Sequence, residues 1–221
     1  MECPKVNDWR SRANGLANRR HSTIIMSQIT NSNHMSRTNT KRERLTAAAR
    51  RLIHAVGYSQ TTLADIAQDA EVPLGNVYYY FKTKEALAQA VIEDRQQEFT
   101  QLTRELDRLS DPWARIDGYL SMLVLEGESI AHHGCPIGGL CTELNKGGSP
   151  LAKQANDLLQ SQSDWLTRQF QQIGKSEDPA ELALQLLAQL QGATVLAHAF
   201  KDPNLFTRQI ASAKSWLYEL T

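Results

Sequence analysis

Residues 62–84 read TLADIAQDAEVPLGNVYYYFKTK, and this stretch decides how the rest of the chain is interpreted. It predicts two short helices joined by a tight turn over residues 71–73. Thr62 is placed to cap the first helix, and the carboxylate of Asp65 can bond back to it in a capping box. The second helix, over residues 74–81, carries small, amide and phenolic side chains instead of the usual apolar stripe with charges. Such a surface indicates contact with a partner outside the chain.

The outward side of this second helix carries the candidate binding residues. Val77, Tyr80 and Phe81 are predicted to face the core, which leaves the remaining side chains for a partner. An asparagine amide can pair with adenine through two hydrogen bonds, and tyrosine hydroxyls and lysines commonly reach phosphates. We therefore predict a helix-turn-helix that binds double-stranded DNA. The predicted base contacts are Leu74, Gly75 and Asn76, and the predicted phosphate contacts are Thr62, Tyr78, Tyr79, Lys82 and Lys84.

A further helix is predicted to precede this pair, over residues 38–56, with Gly57 ending it. Lys41, Arg42 and Arg44 lie near its start, where positive charges oppose the helix dipole. A DNA phosphate backbone would supply the compensating negative charge. The alternative interpretation is a basic face that is only solvated.

From residue 41 to about residue 90, the sequence resembles the DNA-binding domain of TetR-family transcriptional regulators. The pattern is a threonine before the second helix, an acidic residue followed by Ile-Ala, a Val and Gly at the turn, and a Y-x-Y-F-K-x-K-E-x-L ending. The matching residues are Thr62, Asp65-Ile66-Ala67, Val72, Gly75, Tyr78, Tyr80-Phe81-Lys82, Lys84-Glu85 and Leu87. Pro73-Leu74 departs from the family's commoner Ser/Thr-Lys or Ser-Arg pair and is expected to alter base preference. The resemblance implies an all-helical homodimer that binds a palindromic operator, usually as a repressor released by a small ligand.

Composition and charge agree with a polyanion partner at one end of the chain. The formal net charge is zero, but residues 1–34 carry five Lys/Arg against two Asp/Glu, and residues 96–221 carry ten against fifteen. Three cysteines do not make a disulfide framework and indicate a reducing, cytoplasmic setting. No apolar run approaches the ~20 residues of a membrane helix, and no signal peptide is recognised. No cofactor is predicted.

The chain is predicted to be all-α and to divide into three parts. Residues 1–36 lack apolar periodicity and are expected to form a disordered basic extension. Residues 37–84 form the three-helix DNA-binding domain, and residues 85–221 form a larger helical domain for ligand binding and dimerisation. Its helices are predicted over residues 85–109, after Asp111-Pro112, from Ser149-Pro150 to about residue 173, from Asp178-Pro179 and from Asp202-Pro203.

The helix predicted over residues 179–200 is apolar on nearly every side, which requires burial on two faces. The natural partner for its second face is another copy of the chain. We therefore expect this helix, with the last or the preceding helix, to form a homodimer interface as a four-helix bundle.

A glycine-rich segment, HHGCPIGGLCTEL over residues 132–144, is the candidate sensor region and includes Cys135, Cys141, His132 and His133. One interpretation is small residues that pack in a tight corner. A second is a reactive thiol, because Cys135 precedes Pro136 at a predicted helix N-terminus, where the dipole stabilises a thiolate. GCPIGGL is similar to a segment in the NemR-like branch of the TetR family, which senses electrophiles and oxidants. A third is a metal site, but the spacing fits no familiar zinc pattern, so no metal is predicted.

Several apolar residues of the second half could line an effector pocket, although residues at helical spacing usually form core. These candidates are Met122, Leu125, Trp165, Phe170 and His198. Two other function classes compete with a ligand-responsive regulator. A Cys/His enzyme would need a third, orienting residue that is not recognisable here, so we predict no enzyme. For the other class, an architectural DNA-binding factor without a ligand, protection in a footprinting experiment would not be confined to one palindrome.

Overall fold

The structure, a computed structural model, describes residues 40–220, so the predicted extension over residues 1–36 lies outside it. These residues form ten α-helices and no strand. In chain order they are α1 (Lys41–Val56), α2 (Leu63–Asp69), α3 (Leu74–Tyr80), α4 (Lys84–Leu106), α5 (Pro112–Leu125), α6 (Gly127–His133), α7 (Pro136–Lys146), α8 (Ala152–Ile173), α9 (Pro179–Phe200) and α10 (Pro203–Glu219). The predicted all-α fold class is confirmed. None of the described helices is both long and apolar enough to cross a membrane.

Local capping signals set most helix starts where the sequence predicts them. The Thr62 hydroxyl accepts the Asp65 N–H at 3.2 Å, and the Asp65 carboxylate accepts the Thr62 N–H at 3.0 Å, which completes the predicted capping box. Asp111, Asp178 and Asp202 cap α5, α9 and α10, and each is followed by a proline at the first helical position.

Four helices have predicted boundaries that are wrong by a few residues. α1 starts at Lys41 and not at residue 38, because Thr40 caps it in a second capping box with Glu43. α3 ends at Tyr80, and α4 spans Lys84–Leu106 instead of 85–109. α8 starts at Ala152 and not at Ser149-Pro150, because residues 149–151 form a turn in which the Ala152 N–H donates to the Ser149 carbonyl at 3.0 Å.

Two apolar clusters fill the interior. The first unites α1, α2, α3 and the beginning of α4 with parts of α7 and α8, and its largest members include Leu45, Ile66, Val77, Phe81, Leu87, Leu140, Leu144 and Leu158. The second joins the end of α4 to α5, α6, α8, α9 and α10, with Leu106, Ile116, Trp165, Phe170, Leu186, Phe206 and Ile210. The core beneath the helix-turn-helix is therefore continuous with α7.

The far end of α4 is held by a partly buried polar contact. Asp107, which ends α4, accepts the indole N–H of Trp165 at 3.1 Å and an amide hydrogen bond from Gln169 at 3.4 Å. Trp165 and Gln169 are both buried on α8. This contact ties α4, which starts beside the helix-turn-helix, to the second cluster.

α9 is buried on one side only within the described residues. It packs against α6, α8 and α10. Its buried residues include Ala183, Leu186, Leu190, Ala193 and Ala197. Leu184, Val195, Leu196 and Phe200 are large apolar residues of α9 that stay exposed. A second apolar face of α9 is thus left uncovered by residues 40–220.

Candidate nucleic-acid interface and sensor region

The side chain of Arg44 is hydrogen-bonded to the turn between α2 and α3. Its guanidinium donates to the carbonyl oxygens of Ala70 and Glu71, and it lies 3.4 Å from the Glu71 carboxylate. Glu71 has a φ of +50°, a left-handed conformation that a non-glycine residue adopts at a cost. The sequence suggested a phosphate partner for the basic start of α1, but the guanidinium of Arg44 is used inside the protein.

α3 presents the outward face that the sequence predicts. Val77 is fully buried and Phe81 is 3% exposed, whereas Leu74 is 43%, Tyr78 is 48% and Tyr79 is 78% exposed. Leu74 and Tyr78 are four residues apart and therefore lie on the same side of the helix. An exposed surface of this kind offers apolar, aromatic and hydroxyl groups to a groove or a phosphate backbone.

Three further candidates on and beside α3 have no partner within residues 40–220. A Cβ at Gly75 would meet no atom within 4 Å, so packing inside the protein does not explain the glycine. Asn76 is half-buried, and its side chain makes no hydrogen bond to the described residues. Lys82 is exposed and forms neither a hydrogen bond nor an ion pair with them.

Thr62 and Lys84 have internal partners. The Thr62 hydroxyl and N–H both bond the Asp65 carboxylate, and these hydrogen bonds lower the pKa of Asp65. The Lys84 ammonium donates to the Ser59 carbonyl at 3.1 Å and lies 4.4 Å from the centroid of the Tyr58 ring. Both groups hold the backbone that flanks α2 and α3.

Cys135 and Cys141 occupy different environments. Cys135 is the N-cap of α7, as the sequence predicts, and its Sγ accepts the Gly138 N–H at 3.2 Å. Cys141 is buried, and its thiol donates to the Ala155 carbonyl at 3.1 Å. Burial raises the pKa of the Cys141 thiol to about 11, so this thiol stays protonated near neutral pH.

The other predicted sensor residues differ in exposure and contacts. His132 and His133 are exposed, and His132 Nδ1 lies 2.8 Å from the Glu128 carbonyl. Met122 is half-buried on α5, and Trp165 is held by Asp107. Within residues 40–220, no three His, Cys, Asp or Glu side chains lie close enough together to hold a metal ion.

A cavity of about 120 Å³ lies where the ends of several helices meet. It is lined by Trp113, Phe170, Ile173, Lys175, Ser176, Leu182 and Leu220. Among the predicted pocket candidates, Phe170 lines it. The lining is mainly apolar, which suits a small apolar molecule.

Comparison with known proteins agrees with this geometry. Residues 45–91 match the family model described as bacterial regulatory proteins, tetR family. HTH-type transcriptional repressor DhaR of Mycobacterium sp. is 31% identical over 153 residues, covering 62% of this chain and 72% of that protein. The chain belongs to the TetR family of bacterial transcriptional regulators. A second relative of this TetR-family regulator, an uncharacterized HTH-type regulator from Lactococcus lactis, is 29% identical over 76% of this chain and 87% of its own length.

Solved structures share the fold of this TetR-family regulator. Reduced Escherichia coli NemR superimposes with a TM-score of 0.67 and 22% identity, covering 80% of this chain and 96% of that chain. At this identity the likeness concerns the fold alone. The family match spans α1, α2, α3 and the start of α4, so the DNA-binding domain of the regulator is the part that contains the exposed face of α3.

Two residues that no sequence pattern predicts, Glu143 and His54, join the DNA-binding helices of the TetR-family regulator to α7 and to the end of α6. The Glu143 carboxylate accepts the Tyr58 and Ser59 N–H groups at 3.1 and 3.0 Å. The Nε2–H of His54 donates to the Gly134 carbonyl at 2.9 Å. The partners are 80 to 85 residues apart in sequence, and no local pattern signals such contacts.

Proposed function

We propose that this TetR-family regulator is a dimeric repressor that binds a palindromic DNA operator and leaves it when a small ligand binds or a cysteine is modified. The exposed face of α3 carries the proposal. Leu74, Gly75 and Asn76 read bases, while Tyr78, Tyr79 and Lys82 hold phosphates, with Thr62 and Lys84 beside them. The relative DhaR is named a transcriptional repressor, which supports repression and not activation by this protein.

A second copy of the chain covers the exposed apolar face of α9 in the proposed dimer. Val195 is 65% exposed and Phe200 is 66% exposed, together with Leu184 and Leu196 on the same helix. Apolar side chains of this number favour a protein partner, and a two-fold axis lets one patch bind its own copy. A symmetric dimer presents two α3 helices to half-sites about one DNA turn apart, which is why a palindrome is expected.

Cys135 is the proposed trigger for release by cysteine modification. Cys135 is partly exposed, whereas Cys141 is buried and its thiol bonds the Ala155 carbonyl. Space near Sγ is limited, since a Cβ at Gly138 would lie 2.7 Å from Oε1 of Gln191. An alkyl group on Sγ therefore displaces the start of α7. The cavity lined by Trp113, Phe170 and neighbouring residues is the proposed site for a small apolar effector.

DNA reading is tested by the Tyr79→Ala variant. The probe is a duplex that the wild-type protein selects from a randomised library, and binding is measured by fluorescence anisotropy. Because Tyr79 is 78% exposed and supports no core, the variant is expected to fold and dimerise but to lose binding. Tyr79→Phe, which lacks only the hydroxyl, separates the contribution of the ring from that of the phosphate hydrogen bond. Unchanged affinity of Tyr79→Ala would refute the role of this face.

Release by cysteine modification is tested with N-ethylmaleimide in a Cys3→Ser background. This substitution removes the third thiol of the chain, so that only Cys135 and Cys141 can react. The Cys135→Ser variant is expected to stay on the selected duplex after treatment, while Cys141→Ser is released like the parent protein. Serine keeps an acceptor near the Gly138 N–H, so untreated binding should persist. If Cys135→Ser is still released, Cys135 is not the trigger.

A further inference from the structure

The carboxylate of Glu143, on α7, is bound by the turn that follows α1. Oε1 accepts the Tyr58 N–H at 3.1 Å and Oε2 accepts the Ser59 N–H at 3.0 Å. Each carboxylate oxygen is thus matched to one backbone donor. Charge-assisted hydrogen bonds of this kind are about twice as strong as neutral ones.

Gly57 makes room for this carboxylate. Its φ is +91°, a region that favours glycine, and a Cβ there would lie 2.6 Å from Oε1 of Glu143. The turn continues through Thr61, whose hydroxyl donates to the Gly57 carbonyl at 2.7 Å. Glycine at this position therefore serves both the backbone bend and the close approach of Glu143.

The same turn is attached to the two elements that flank α3. At one end it runs into Thr62, the cap of α2. At the other, Lys84 in the first turn of α4 donates to the Ser59 carbonyl and lies over the Tyr58 ring. The position of this turn consequently sets where α2 and α4 begin.

We propose that Glu143 is a positioning residue for DNA binding, because it fixes this turn and through it the backbone on both sides of α3. Without the carboxylate, the turn is less ordered in the free protein and must become ordered when DNA binds. The entropy lost in that ordering lowers the affinity for DNA. Glu143 contacts no DNA. Its effect reaches the operator through Tyr58 and Ser59.

α7 also connects Glu143 to Cys135. The helix has 11 residues, which corresponds to roughly 16 Å at 1.5 Å per residue. At its beginning, His54 of α1 bonds the carbonyl of Gly134, next to Cys135. Three residues before the last residue of the helix, Glu143 bonds the turn after α1. A shift of α7 therefore alters both contacts with the DNA-binding domain.

The proposal is tested with Glu143→Gln, a nearly isosteric change. Glutamine has one acceptor oxygen, so its NH2 group would face one of the two N–H donors. The matched control is Glu128→Gln, which removes one exposed carboxylate of α6 whose side chain makes no hydrogen bond to residues 40–220. Operator affinity and its salt dependence are measured on the selected duplex, together with hydrogen exchange of the peptide that spans residues 57–62.

We expect Glu143→Gln to stay folded and to bind the duplex on the order of tenfold more weakly than Glu128→Gln, corresponding to about 1.4 kcal/mol. The salt slope should decrease, since phosphate contacts beside α2 and α4 become less complete. Exchange at Tyr58 and Ser59 should accelerate while other segments keep their rates. Equal affinity and equal salt slope in the two variants would overturn the proposal, as would unchanged exchange at the turn.

Discussion

At the scale of single residues, the half-buried His54 makes a polar contact that has a pH-dependent consequence. Its Nε2–H donates to the Gly134 carbonyl, and its ring lies 5.4 Å from that of His133. Burial lowers the pKa of His54, and the nearby charges of Arg95, His133 and Arg50 act in the same direction. The hydrogen bond to Gly134 opposes this shift without reversing it.

The lowered pKa of His54 predicts weaker folding in mild acid. The unfolded state takes up the His54 proton first, near the ordinary histidine pKa of 6.5, so it binds more protons than the folded state there. The stability contributed by neutral His54 is present above that pH and is lost as the pH falls towards the folded pKa. His54→Asn should reduce the loss of stability between about pH 7.5 and 5.5 in urea unfolding.

The same substitution at the exposed His132 is the control for this measurement. The free energy of unfolding of His132→Asn should keep the wild-type dependence on pH. If His54→Asn keeps it too, burial of His54 does not contribute to the acid sensitivity of the fold.

At the scale of elements, the turn between α2 and α3 depends on a side chain from α1. Arg44 donates to two carbonyl groups of the turn, and its side chain is 37% exposed. Arg44→Met should lower the free energy of unfolding by about 1–3 kcal/mol, because the partly buried Ala70 carbonyl and the exposed Glu71 carbonyl lose their donor. Urea unfolding of the purified variant measures the change.

Arg51→Met is a matched control for Arg44→Met. Arg51 also lies on α1, but it pairs with Asp69 at the surface, where its side chain is 60% exposed. Surface ion pairs contribute about 0–1 kcal/mol. Equal losses in the two variants would contradict a bracing role for Arg44.

The starts of α2, α5, α9 and α10 could be predicted because their signals are local. Thr62 with Asp65, and each Asp-Pro pair before α5, α9 and α10, satisfy backbone groups within three residues along the chain. The outward face of α3 also follows from helical periodicity. Its position on the protein does not, because Arg44 reaches Glu71 across 27 residues and Glu143 reaches Tyr58 across 85. Such partners are chosen by packing, and a single sequence carries no sign of them.

At the scale of the whole molecule, the apolar core does not end at the DNA-binding helices. Leu140 and Leu144 of α7 belong to the same cluster as Leu45 of α1 and Val77 of α3. Two discrete hydrogen-bonded contacts, at His54 and at Glu143, lie along this shared core. Packed side chains therefore connect the region of Cys135 to α3, whereas the cavity beside Trp113 adjoins the second cluster, which includes Leu106 near the end of α4.

The uncovered face of α9 predicts the oligomeric state. Replacing both Leu184 and Val195 by Glu puts two charges on each copy of this face, and burying them unpaired would be costly. We expect the double variant to sediment as a monomer and to bind the selected duplex on the order of 100-fold more weakly, because one half-site loses the effective concentration of the other. Gln101→Glu, which adds a charge at an exposed position of α4, outside the expected interface, should remain dimeric. A double variant that still sediments as a dimer would exclude α9 as the interface and would direct attention to Leu125 on α5.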